Sequence, residues 1–139
     1  MERLTIFLNI FYRVWPPVTR TLEFCGFHAF RQRFILGNLA SGFNKEKLKA
    51  RLVLCGFERA ILAWKDPGEV LSMRKVHNRI FQYHVRLFID GEIRGHFEYS
   101  PEADPIRHFF ECYFEPETDF FRKLLGEYLV TASEQRPFA

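Results

Sequence analysis

Asp90-Gly91 stands between two runs of alternating side chains, and it constrains the fold more than any other feature of the chain. Residues 80–100 read IFQYHVRLFIDGEIRGHFEYS, and Asp-Gly in that setting is a strong hairpin signal. The loop length matters because a slip of one residue moves a strand's whole side-chain set to the other face. A two-residue loop sets Ile89 against Glu92, Leu87 against Arg94 and Val85 against His96, apolar beside charged throughout. A turn over Ile89 and Asp90, with Gly91 left-handed as a bulge, sorts the side chains instead. Leu87 then opposes Ile93, Val85 opposes Gly95, Tyr83 opposes Phe97 and Phe81 opposes Tyr99, all on one apolar face. The other face pairs Arg86 with Arg94, His84 with His96 and Gln82 with Glu98.

That polar face is where function is expected. Like charges directly opposite one another weaken a sheet, so two arginines and two histidines in register call for an anion or a carboxylate nearby. The plain alternative is a solvated sheet face, which is the norm in antiparallel sheets. Fourteen of the twenty basic residues are arginine, which suits contacts to phosphate or carboxylate. The net charge of +3 permits a polyanionic partner without being a nucleic-acid signature.

The leading expectation is a binding module that offers Arg31, Arg33, Arg86, Arg94 and Arg107 to an anionic partner. With Phe88 and Phe109 as stacking platforms, that partner is single-stranded nucleic acid or an acidic protein surface. The alternative is a metal-independent acid–base enzyme that cleaves phosphodiesters. His84 and His96 would trade the proton beside Glu98, while the arginines hold the phosphate. A metal site made of His84, His96 and either Glu98 or His108 is a third arrangement, since imidazole suits zinc, nickel or copper. Two neighbouring arginines speak against a cation there, and no metal or other cofactor is expected.

The rest of the chain is read by periodicity and punctuation. Leu4, Phe7, Leu8, Phe11 and Trp15 predict a helix over 3–15, against a competing alternation at the same residues. Pro16-Pro17 marks a break, and a short helix over 18–25 is closed by Gly26. LEFCGF at 22–27 and LVLCGF at 52–57 each look like a helix stopped by glycine, with a phenylalanine folding back on the last turn. A strand is predicted over 27–36, a loop over 37–43, and a helix over 45–55 capped by Asn44. A second strand over 57–64 turns at 66–69 into a third over 70–76, against a competing reading in which Asp66, Pro67 and Glu69 cap a helix, and His77-Asn78 turns the chain into the central hairpin. Residues 101–105 read as a loop and 106–114 as a last strand with His108 on its core side. A final helix follows, with Phe120, Phe121, Leu124, Leu125, Tyr128 and Leu129 as its apolar stripe.

These pieces add up to a single α+β domain over 1–131 with a frayed tail at 132–139. Its architecture is a mostly antiparallel sheet of about five strands with helices packed on one face. Helices on one side leave the arginine–histidine face open. Seventeen phenylalanines predict an aromatic-rich core. Cys25, Cys55 and Cys112 are odd in number and lack C-x-x-C spacing, so reduced, buried thiols in a cytoplasmic setting are expected. No apolar run reaches the roughly 18 residues of a membrane span.

Overall fold

A computed structural model of the chain describes residues 2–26, 35–60, 66–110 and 118–131. At its centre β4 (Phe81–Phe88) and β5 (Glu92–Tyr99) form the hairpin. Gly91 is left-handed (φ 88°), and its N–H donates to the Phe88 carbonyl at 2.9 Å, which closes the bulged turn. The register is the expected one, with Leu87 opposite Ile93, Val85 opposite Gly95, His84 opposite His96 and Gln82 opposite Glu98. β3 (Glu69–His77) pairs with the free edge of β4, and β2 (Glu58–Arg59) pairs with β3. On the other side β1 (Ile35–Leu39) pairs with β5, and β6 (Leu129–Val130) lies outside it. The result is a six-stranded antiparallel sheet in the order β2-β3-β4-β5-β1-β6, an α+β fold.

The apolar face packs as its pattern dictates. Leu48 and Leu52 of α2 (Lys45–Leu54) and Phe121, Leu124 and Leu125 of α4 (Thr118–Leu125) bury against Met73, Val85, Leu87 and Ile93. Tyr83 stacks on Phe120 with centroids 4.0 Å apart and lies 4.9 Å from Phe97, which makes the core margin aromatic. Gly95 is required here: a Cβ on it would come within 2.8 Å of Leu36 and 3.0 Å of the Phe121 ring. Asn44 caps α2, its side chain accepting from the Lys47 N–H at 2.9 Å. The helix ends on left-handed Gly56, and the Phe57 N–H returns to the Leu52 carbonyl as the repeated motif predicts. Lys75 Nζ donates to the Cys55 carbonyl at 2.8 Å, a cation at the negative end of that helix.

Several expectations are corrected. α1 (Glu2–Phe24) runs unbroken through Pro16-Pro17. Proline's fixed φ is compatible with helix, and its costs are the lost N–H donors and the crowding of each ring against the carbonyl four residues earlier. The first strand begins only at Ile35 among the described residues and includes Gly37, Asn38 and Leu39, where the sequence predicts a loop. The Val130 carbonyl sits 2.2 Å from where a Gly37 Cβ would be, so glycine serves close strand pairing here rather than a turn. The second strand is described only as Glu58–Arg59, and 61–65 lie outside the described residues. The last helix stops at Leu125, and after a 3-10 turn at Gly126–Tyr128 Leu129 joins the sheet.

The largest correction concerns 106–114, read as a strand. Pro105–Phe110 is a helix, α3, and 111–117 lie outside the described residues. Asp104 explains it, because its carboxylate accepts the Arg107 N–H at 3.0 Å while Pro105 opens the helix. Cys25 is exposed and Cys55 half-buried, against the expectation of buried thiols, and Cys112 is outside the described residues. No helix among the described residues is long and apolar enough to cross a membrane.

Candidate functional site

The polar face of the hairpin is closed, not open. His84 and Glu98 are fully buried, His96 is 2% exposed and Arg86 1% exposed. The open face is expected from helices packing on one side of the sheet only, with residues 106–114 a strand. Instead the chain turns back as α3 and brings His108 to within 3.8 Å of Glu98. The turn before β3 brings Asp66 against Arg86 on the same side. The sheet therefore has helices on its apolar face and a helix and a turn on its polar one.

The arginines on this face carry their own counter-charges. Arg86 donates to Asp66 at 2.7 Å and lies 3.5 Å from Glu69, while its Nε has no hydrogen-bond partner. Burial pushes the Glu69 carboxyl above its ordinary range, and Arg86 works against that shift. Arg94 pairs with Glu92, and its guanidinium sits 3.8 Å from the centre of the Phe88 ring. Like-charged arginines can thus face each other because each is matched locally. Arg107 is elsewhere: it is exposed on α3, 3.6 Å from Asp104, and donates to the Tyr99 hydroxyl at 3.2 Å. Arg31 and Arg33 lie outside the described residues, as does the side chain of Phe109.

The three residues singled out for chemistry do meet. His84 Nδ1 and His96 Nε2 are 3.2 Å apart. Glu98 Oε1 lies 3.3 Å from His96 Nε2 and 3.7 Å from His84 Nδ1. Three potential ligand atoms therefore form a small buried triangle.

The surroundings orient each corner. Ser72 Oγ is 2.6 Å from His84 Nε2 and also bonds the Glu69 carboxylate. A hydroxyl has one proton to give. Given to Glu69, it leaves Ser72 to accept from His84 Nε2, so the lone pair of Nδ1 points into the triangle. A second chain starts at Arg74, whose guanidinium meets Glu102 at 2.6 Å and Glu58 at 2.9 Å and donates to Gln82 Oε1 at 3.2 Å. With its oxygen occupied by a donor, Gln82 turns its amide nitrogen to Glu98 Oε1 at 2.7 Å. His108 Nδ1 is 2.9 Å from the Tyr99 carbonyl, which only an N–H can satisfy. Two corners of the triangle, His84 Nδ1 and Glu98 Oε1, are therefore acceptors. His96 Nε2 lies between them and completes the set.

Ser72, Arg74, Asp66 and Glu69 were not anticipated as part of this site. The alternation of Leu71 and Met73 with Ser72 and Arg74 carried the signal, since it puts the latter pair on the polar face once β3 lies beside β4. Arg74 stands directly opposite His84 and Ser72 opposite Arg86. No family model matches the chain, and neither a curated protein nor a solved structure shows significant similarity to it.

Proposed function

We propose that the domain is a binding module whose ligand is a cation, held by His84, His96 and Glu98 inside the sheet. The observation that carries this reading is the meeting of three acceptor-capable atoms within 3.2–3.7 Å of one another, in a site closed to solvent. The two acceptor corners call for a donor or a positive charge at the third, which either a proton on His96 Nε2 or a bound cation supplies. Two orienting chains hold the acceptor corners in place, so a cation that displaces that proton meets ligands already aimed at it.

An anionic partner finds less support. Arg86 and Arg94, two of the five guanidinium groups that such a partner would use, already face Asp66, Glu69 and Glu92. Phosphodiester cleavage by His84 and His96 needs the same arginines free and a phosphate between two buried rings.

Thermal unfolding of the chain at constant ionic strength, against a panel of ligands, tests the reading. The panel contains sodium, potassium, magnesium, calcium and zinc ions, inorganic phosphate and a single-stranded oligonucleotide. At least one cation is expected to raise the melting temperature in proportion to the logarithm of its concentration. Phosphate and oligonucleotide are expected to leave it unchanged. Stabilisation by the anions alone would overturn the reading.

A further inference from the structure

We infer that the cation is a divalent first-row transition metal of the zinc class, bound by His84 Nδ1, His96 Nε2 and Glu98 Oε1. This rests on the cation reading above and narrows it. Ligand atoms about 2.0–2.1 Å from a tetrahedral zinc ion lie about 3.3–3.4 Å from each other. The three edges here are 3.2, 3.3 and 3.7 Å, so a metal fits at the centre with shifts of a few tenths of an ångström.

The donor set narrows the choice of ion. Two imidazole nitrogens and one carboxylate oxygen suit zinc, cobalt, nickel or ferrous iron. Calcium takes six to eight oxygens and magnesium a near-octahedral oxygen shell, and this triangle offers each a single oxygen. Among the described residues no cysteine joins the three ligands, which argues against cuprous copper. Three protein ligands leave a tetrahedral ion one position for a small exogenous ligand.

The residues around the ligands fit the same assignment. A metal-bound histidine commonly donates its other ring N–H to a neighbour, which fixes the tautomer. Ser72 takes that role for His84 at 2.6 Å. Gln82 donates to the coordinating oxygen of Glu98 at 2.7 Å, and Arg74 fixes which way its amide points. Ser72 and Gln82 are positioning residues, because they act on the metal only through the ligand that each one holds. The nearby arginines do not spoil the site. Arg86 and Arg94 direct their charge to Asp66, Glu69 and Glu92, and the hairpin register places them beyond His84 and His96, away from Glu98.

Titration of the chelator-treated full chain with cobalt(II), followed by visible absorption, tests the assignment. The expected result is saturation at one cobalt per chain, with the intense bands of a four-coordinate nitrogen–oxygen site. Zinc is expected to displace it, and magnesium and calcium in excess are not. Ser72→Ala and Gln82→Met are expected to weaken cobalt binding about 10–100-fold while keeping the band positions. His84→Gln, His96→Gln and Glu98→Gln are expected to abolish the four-coordinate spectrum, with circular dichroism as the check on folding. The titration of the unaltered chain decides the matter even if those variants unfold. A pale octahedral spectrum, or a four-coordinate spectrum that survives in folded His84→Gln and His96→Gln, would overturn the assignment. Magnesium or calcium binding in place of cobalt would sink the metal class and leave the cation reading standing. A chain that binds no cation at all sinks both.

Discussion

The two faces of the β4–β5 hairpin are both buried, and they achieve it by opposite means. On one side Val85, Leu87, Ile93 and Met73 meet Leu48, Leu52 and Phe121, and only shape has to match. On the other side His84, Arg86, His96 and Glu98 are equally hidden, and every charge or lone pair needs a named counterpart. Apolar packing tolerates modest change because its attraction has no direction and is spread over many contacts. A buried polar set is stable only when its members are satisfied, since one missing partner strands another in a low dielectric. The same hairpin thus carries a forgiving surface and an exacting one.

The sharpest way to break that contrast is Arg86→Ala. It leaves Asp66 and Glu69 buried or half-buried without their cation. We expect a loss of about 3–5 kcal/mol in urea unfolding, the cost of opening a buried ion pair. A loss under about 1 kcal/mol would mean that the polar face is no more exacting than a solvated surface.

On the apolar face the corresponding change is Gly95→Ala, which drives a methyl group towards Leu36 and the Phe121 ring. We expect it to cost about 1–3 kcal/mol, as overpacking does. Phe121→Leu in the same chain is expected to recover part of that loss, a coupling that a double-mutant cycle measures directly. Strictly additive losses would place the strain elsewhere.

The smallest effect is a slope rather than a drop. The Glu69 carboxyl is raised above its ordinary value of 4.5 by burial. Between that value and the raised one, the folded chain holds more protons than the unfolded chain, so stability falls as pH rises through the window. Glu69→Gln removes the titration while keeping an acceptor for the Asp66 N–H and the Ser72 hydroxyl. Urea melts at successive pH values are expected to show the variant gaining on the parent as pH rises from 4. A gain towards acid pH instead would reverse the sign of the burial effect.

What the sequence made legible follows the range of the physics. The register of the central hairpin is a local matter, decided by Gly91 and by which side chains tolerate each other across two strands, and it emerged in full. The repeated helix ending is equally local and appears at Gly56. Whether the polar face is open depends on where residues 66 and 108 are carried, and no pattern within 80–100 contains that. One local clue was present and read differently. Asp104-Pro105 is a helix start, yet the alternation of 106–114 favoured a strand, and the alternation lost to a cap and a proline. Pro16-Pro17 failed in the other direction: the helix runs through both prolines in spite of the lost donors and the crowding of their rings. The members of the cluster at Ser72 and Arg74 stayed hidden for lack of the β3 register, which a turn at 66–69 alone does not determine.

The place of β1 bears on how the chain reaches this state. Strands β3, β4 and β5 are neighbours in sequence and can zip together as a meander while later residues are still being synthesised. β1 is made first and waits, because its two partners are β5 and β6. Until the C-terminal segment arrives, an early strand with an unmatched edge and the flat approach at Gly37 must be kept from pairing with another copy. Docking of the last strand on Gly37 therefore works as a latch, and crowding at that one glycine should appear first as slow, aggregation-prone maturation.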